Sequence, residues 1–70
     1  MRILGIDPGI ATIGFGVVDS DSRSHKLIKC GVITTPAHTS LSSRLEQIYD
    51  DMCGLLDMFK PDAVSIEELF

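Results

Sequence analysis

The sequence predicts an α/β domain with a mixed sheet, built in the order β-β-β-α-β. Three segments of strand character, residues 2–7, 12–19 and 25–35, are joined by short polar loops, which is typical of an antiparallel meander. A segment with helical periodicity then leads to a fourth apolar strand, residues 63–66. A meander followed by a helical crossover produces a mixed sheet with a helix on one face.

Two of the predicted strands, residues 2–7 and 63–66, are apolar on both faces. Continuous apolar runs of this kind are typical of strands that are covered on both sides of the sheet. Two hairpins reverse the chain twice, and a right-handed crossover then lays the fourth strand parallel to the first. We therefore expect these two strands to be central, adjacent and parallel, with their C-terminal ends side by side.

The second strand, residues 12–19, carries two glycines on one face. Alternation places Gly14 and Gly16 opposite to the face that carries Ile13 and Val17. Glycine weakens the interior of a strand because it has no side chain to pack. The pattern therefore indicates that another group approaches the backbone of this strand.

The helix is predicted over residues 41 to 59. Thr39 or Ser40 offers a side-chain oxygen for the N-cap, and Pro61 follows the last turn, where it cannot continue a helix. Apolar residues at spacings of three and four form one stripe, which predicts an amphipathic helix. The stripe consists of Leu41, Leu45, Ile48, Met52, Leu55, Leu56 and Phe59.

Composition narrows the classes of function. The chain has 70 residues, of which 44% are hydrophobic, and this excludes a disordered tail. Six basic and ten acidic residues give a net charge of −4. Either the chain does not bind nucleic acid, or the basic surface that such binding needs lies elsewhere. Cys30 and Cys53 form no CxxC pair, and no apolar stretch reaches membrane length, so we expect a cytoplasmic protein with free thiols.

Two acidic residues stand at the ends of the two parallel strands. Asp7 ends the first strand and Glu67 follows the fourth, and ligands of open α/β sheets bind at such strand ends. Oxygen ligands without nearby His or Cys favour Mg²⁺, with Mn²⁺ as an alternative, and such a site suits phosphoryl transfer. Simpler interpretations stay open, because Asp before Pro-Gly is a common turn residue and Glu67-Glu68 is also typical of a solvated strand end.

Several motifs occur in an order that resembles one known family. They are Ile3-Leu4-Gly5-Ile6-Asp7-Pro8-Gly9, Gly14-Phe15-Gly16-Val17-Val18, Gly31-Val32-Ile33-Thr34-Thr35 and Ile66-Glu67-Glu68-Leu69-Phe70. The combination of IDPG near the start with IEELF at the end resembles the RuvC family of bacterial Holliday junction resolvases.

The resemblance implies a magnesium-dependent endonuclease with an RNase H-like fold. Members of the family act as homodimers that resolve four-way DNA junctions by paired nicks in recombination and DNA repair, in concert with the RuvA-RuvB branch-migration complex. Asp7 and Glu67 match the positions of catalytic metal ligands, and Phe70 matches an aromatic residue that contacts junction bases. Family members are more than twice as long and carry two further active-site carboxylates. The resemblance thus implies that residues 1–70 are the N-terminal part of one nuclease domain, inactive alone.

A second class of protein also opens with a strand, an acid and a glycine-containing hairpin. This class is the actin, hexokinase and Hsp70 group of ATPases, in which backbone N–H groups of the hairpin cradle phosphates. These ATPases usually have a Thr- or Ser-rich loop where the present sequence has Ile10-Ala11. The IEELF motif has no counterpart in them.

Overall fold

A computed structural model describes residues 1–9 and 11–67. The elements are β1 (Arg2–Asp7), β2 (Thr12–Ser20), β3 (His25–Thr34), α1 (Leu41–Phe59) and β4 (Ala63–Ile66). The strands form one sheet in the order β3-β2-β1-β4. β2 is antiparallel to both β1 and β3, whereas β4 is parallel to β1. The predicted element order, the meander and the parallel pairing of the first and last strands are confirmed.

The position of β4 differs from the prediction. Within the described residues β4 lies at an edge of the sheet, and β1 and β2 are the two inner strands. Its side chains Val64 and Ile66 are 47% and 65% exposed. β1 pairs with β2 on one side and with β4 on the other, and β1 is the single described strand that pairs with β4. The apolar pattern of β4 therefore does not correspond to burial within this part of the chain.

The hydrophobic core lies between the sheet and α1. Its buried members come from the three strands of the meander and are Leu4, Ile6, Ile13, Val17 and Ile33. Side chains of α1 that pack against them are Ile48, Met52, Leu55 and Phe59. Since Ile13 and Val17 face α1, alternation places Gly14 and Gly16 on the opposite, open face of the sheet, as predicted.

The ends of α1 follow from local hydrogen bonds. The Ser40 side chain accepts a hydrogen bond from the Ser43 N–H at 3.2 Å, so that Ser40 rather than Thr39 is the N-cap. At the other end Lys60 adopts a left-handed conformation with φ of 46°, and its N–H donates to the Leu56 carbonyl. No helix in the described ranges has both the length and the hydropathy that crossing a membrane requires.

The apolar stripe of α1 is wider than the surface that the described sheet covers. Leu41, Leu45 and Leu56 belong to the predicted stripe but are 57%, 52% and 40% exposed. The neighbouring Tyr49 is 70% exposed. The single stripe expected from the sequence therefore divides into a packed part and an exposed flank.

Arg2 connects β1 with β2 and with the end of α1. Its guanidinium donates to the Asp19 carboxylate from Nε at 2.8 Å and from Nη2 at 2.9 Å, and to the Phe59 carbonyl at 3.1 Å. Its backbone N–H donates to the Asp62 carboxylate at 2.6 Å. The hydrogen bond from Arg2 is the main cause that lowers the pKa of Asp19 below its ordinary value.

Candidate active site

Asp7 and Glu67 lie on neighbouring strand ends, as the sequence predicts. In the parallel register of β1 and β4, Ile6 is opposite Ile66, and the Glu67 N–H donates to the Ile6 carbonyl at 3.0 Å. One residue further along, Asp7 and Glu67 are therefore at the same level of the sheet. Alternation from the buried Ile6 turns Asp7 towards the open face, away from α1.

Both acidic residues line one open cavity of about 400 Å³ on this face. The floor of the cavity is made by small residues of three strands, namely Gly5, Gly14, Gly16 and Ser65. Asp7 and Glu67 are exposed, which leaves their carboxylates accessible to a ligand from solvent. Ile6 and Phe15 complete the lining, and their side chains pack in the core on the α1 side of the sheet.

The carboxylates of Asp7 and Glu67 are the kind of ligand that a hard divalent cation prefers, but two of them do not complete its coordination. Within residues 1–9 and 11–67, neither Asp7 nor Glu67 forms a hydrogen bond or an ion pair through its carboxylate. Mg²⁺ prefers oxygen ligands and commonly binds one or two carboxylates together with waters and substrate phosphates. The same ranges contain no group of three His, Cys, Asp or Glu residues that could hold a metal ion. The two carboxylates therefore suit Mg²⁺ but leave most of its coordination positions to other ligands.

Two residues singled out in the sequence fall outside the described part of the chain. Phe70, the predicted DNA contact, is one of them, and Glu68 is the other. The predicted DNA contact of Phe70 therefore stays a prediction.

Sequence reasoning missed Ser65 and Gly5 as cavity residues. They face each other across the β1–β4 pair, because Gly5 is in register with Ser65. A signal for Ser65 existed, since it is the single polar residue in the strand Ala63–Ile66. Polar residues inside an apolar strand are informative because burial without a partner is costly. No comparable signal separated Gly5 from an ordinary strand glycine.

The comparisons with known proteins agree with this fold and site. The sequence profile of the family described as "Crossover junction endodeoxyribonuclease RuvC" matches residues 3–70, and the chain belongs to this family of endonucleases. RuvC of Syntrophomonas wolfei is 49% identical over 70 residues, covering 100% of this chain and 41% of the relative. RuvC of Brevibacillus brevis is also 49% identical, with 42% of the relative covered. The chain thus spans less than half the length of these relatives.

Solved structures show the same relationship. Thermus thermophilus RuvC superposes with a TM-score of 0.88 at 33% identity, covering all of this chain and 44% of that one. T. thermophilus RuvC in complex with Holliday junction substrate gives a TM-score of 0.90 at 32% identity, with 45% of that chain covered. These likenesses confirm the expected RNase H-like fold class. With the family established, the ATPase interpretation is not retained.

Proposed function

We propose that residues 1–70 form the N-terminal part of a single RNase H-like nuclease domain that resolves four-way DNA junctions by paired nicks. The observation that supports this most directly is the meeting of Asp7 and Glu67 at one cavity in a chain of the RuvC family. The described residues supply only part of a metal site, so the activity belongs to the full-length protein. Its biological setting is recombination and DNA repair in the cytoplasm.

Asp7 and Glu67 are proposed as the residues that hold Mg²⁺, with Mn²⁺ as a substitute. When bound, the ion supplies the positive charge that activates a water and stabilises the leaving oxygen in phosphodiester hydrolysis. Both carboxylates are exposed and have no other partner among the described residues. They are therefore available to bind a cation without first breaking an internal contact.

The proposed partner is a four-way DNA junction, bound by a homodimer. T. thermophilus RuvC has been seen in complex with Holliday junction substrate, and its chain superposes on all of this one. A two-fold dimer matches the symmetry of a junction, so that each subunit cuts one of two opposed strands. Phe70 is proposed to stack on a junction base, and RuvA-RuvB is the proposed partner in branch migration.

The roles of Asp7 and Glu67 are tested in a full-length protein. This full-length protein is a chimera, called the S. wolfei chimera, in which this chain replaces the matching 70 residues of the S. wolfei relative. Asp7→Asn and Glu67→Gln are each expected to lower the cutting rate by more than about 100-fold, the upper range for changes in the outer shell of metal sites. Binding of the junction, measured by gel shift, should persist because the DNA surface remains.

Matched controls exist on the exposed side of α1. Asp51→Asn and Glu46→Gln make the same chemical changes at exposed positions of the helix and should leave the cutting rate unchanged. Cutting at the parental rate by either the Asp7 or the Glu67 variant would overturn the assigned roles.

A further inference from the structure

The open face of the sheet continues from the cavity across β2 to β3. On this face Gly14 is in register with Val32, and Gly16 is in register with Cys30. Val32 is 63% exposed and Cys30 is also exposed. Among the described elements, α1 packs on the other face of the sheet and none packs on this one. Within the described residues, the floor of the cavity therefore opens onto a surface of β2 and β3 that no other element covers.

Backbone conformation and internal packing do not explain three glycines of this surface. Every glycine in the described ranges has a negative φ, so that none occupies the left-handed region. A Cβ built at Gly16 would meet no atom within 4 Å. At Gly14 the nearest atom would be the Asp7 Cβ at 3.6 Å, and at Gly5 it would be a carbonyl oxygen at 3.8 Å. These are ordinary contact distances, so alanine would fit at all three positions.

Two of the remaining glycines, Gly9 and Gly31, do have an internal reason. A Cβ at Gly31 would lie 3.1 Å from two ring atoms of Phe15, which packs over it on the helix side. A Cβ at Gly9 would collide with the Thr12 carbonyl in the turn. Glycine inside a strand is destabilising and commonly marks a place where another molecule or backbone approaches closely. For Gly14 and Gly16, the approaching group is not within the described protein.

We propose that the DNA strand cut at Asp7 and Glu67 continues across β2 over Gly14 and Gly16 and reaches Cys30 on β3. This inference rests on the proposed nuclease function. A DNA strand is the occupant of choice because a strand cut at an internal phosphate extends beyond the cavity. The glycine floor leads directly out of that cavity and leaves room for the sugar–phosphate backbone against the sheet. Gly16 is then a positioning residue for the DNA strand.

The length of this path sets the scale of the contact. Neighbouring strands are about 4.8 Å apart, so β3 lies roughly 10 Å from β1 across the sheet. At a rise of about 3.4 Å per nucleotide, this distance corresponds to about three nucleotides. The proposed surface therefore holds the nucleotides immediately beside the cut phosphate and not a distant arm of the junction.

Alkylation of Cys30 tests the path without any substitution. The S. wolfei chimera is treated with N-ethylmaleimide in EDTA, with and without a saturating synthetic four-way junction, and modification is followed by peptide mass spectrometry. The junction should slow alkylation of Cys30 by at least about tenfold, because attack by the thiolate requires access. Cys53 on α1 is the internal control and should react at the same rate in both samples. An unchanged Cys30 rate, equal protection of both cysteines, or a Cys30 that is unreactive without DNA would overturn the proposal.

A pair of glycine variants tests the positioning role. Gly16→Ala and Gly54→Ala both place a methyl group where no described atom other than the adjacent backbone lies within 4 Å. Gly16→Ala should keep the parental melting temperature and lower kcat/KM for junction cutting by about 10- to 100-fold, as expected for a small misplacement of reacting groups. Gly54→Ala should cut like the parent.

The two proposals fail in different ways. A parent chimera that binds junctions without nicking them would contradict the proposed function. A parent that nicks normally while Gly16→Ala is equally active would contradict only the strand path. If Gly16→Ala lowers the melting temperature, the alkylation of Cys30 in the parent decides whether the proposed strand path is correct.

Discussion

Individual side chains determine how the ends of the elements are joined. Arg2 alone contacts β2 through Asp19, the end of α1 through the Phe59 carbonyl, and the start of β4 through Asp62. The Asp19 and Arg2 side chains are partly exposed, at 42% and 34%, so solvent screens their attraction. The bidentate geometry nevertheless fixes the direction in which the guanidinium points. Arg2 therefore orders the end of the sheet opposite to the acidic pair.

We expect Asp19→Asn to change how the melting temperature of the protein depends on pH in the acid range. The pKa of Asp19 is lowered from 3.8, first by the hydrogen bond from Arg2. A carboxyl whose folded pKa is depressed stabilises the fold above its unfolded pKa, and this contribution is lost as the pH falls through the folded pKa. In the full-length chimera, Asp19→Asn should lower the melting temperature at neutral pH. This difference from the parent should shrink below pH 3.8.

Thermal melts across the acid range provide the measurement for this prediction. Asp51→Asn makes the same chemical change at an exposed helix position and is the control. A destabilisation by Asp19→Asn that is constant at every pH would contradict the assigned cause of the pKa shift.

Residue-level features of the site were only partly predictable from the sequence. The positions of Asp7 and Glu67 followed from the strand ends, which local pattern marks, and from the parallel pairing that a right-handed crossover implies. Ser65 was missed, since its place in the cavity depends on register with Gly5 across two strands. Register between distant segments is a tertiary property that a single sequence does not display.

At the scale of elements, local signals defined the bounds to within a residue. β2 extends to Ser20 where the pattern ended at Asp19, and β3 ends at Thr34 rather than Thr35. Within the described residues β4 lies at an edge of the sheet and not at its centre, because an apolar sequence records which surfaces a strand can cover and not how many strand neighbours it has. The exposed flank of α1 has the same origin: helical periodicity defines a stripe, whereas the partner surface determines its buried width.

Removal of the N-cap tests the local account of α1. Ser40→Ala deletes the oxygen that accepts from the Ser43 N–H. The expected cost is about 1 kcal/mol in the free energy of unfolding, within the usual range for such caps. Urea denaturation of the full-length chimera should show a lower midpoint with an unchanged slope. The exposed turn residue Ser22 supplies the control, and Ser22→Ala should be neutral; equal midpoints for both variants would contradict the capping role.

At the scale of the whole molecule, the net charge has to be interpreted together with the length of the chain. The chain carries a charge of −4 over 70 residues and spans less than half of its relatives. The negative charge of these 70 residues is therefore not evidence against the proposed binding of DNA. The fold class and family could be recognised from the order of motifs, because each motif marks one strand end or turn. The other ligands of the proposed metal site could not, since the sequence analysis found no further candidate ligand in these 70 residues.

The most direct test of the central claim, that Asp7 and Glu67 belong to a metal-dependent junction-cutting site, is a strand-by-strand cleavage assay. The S. wolfei chimera is incubated with a synthetic four-way junction labelled in turn on each strand, with Mg²⁺ or with EDTA. We predict paired nicks at symmetric positions in two opposed strands, dependent on Mg²⁺ and absent from the Asp7→Asn variant. Undiminished nicking in EDTA, or a parent that binds the junction and leaves every strand intact in Mg²⁺, would contradict the claim.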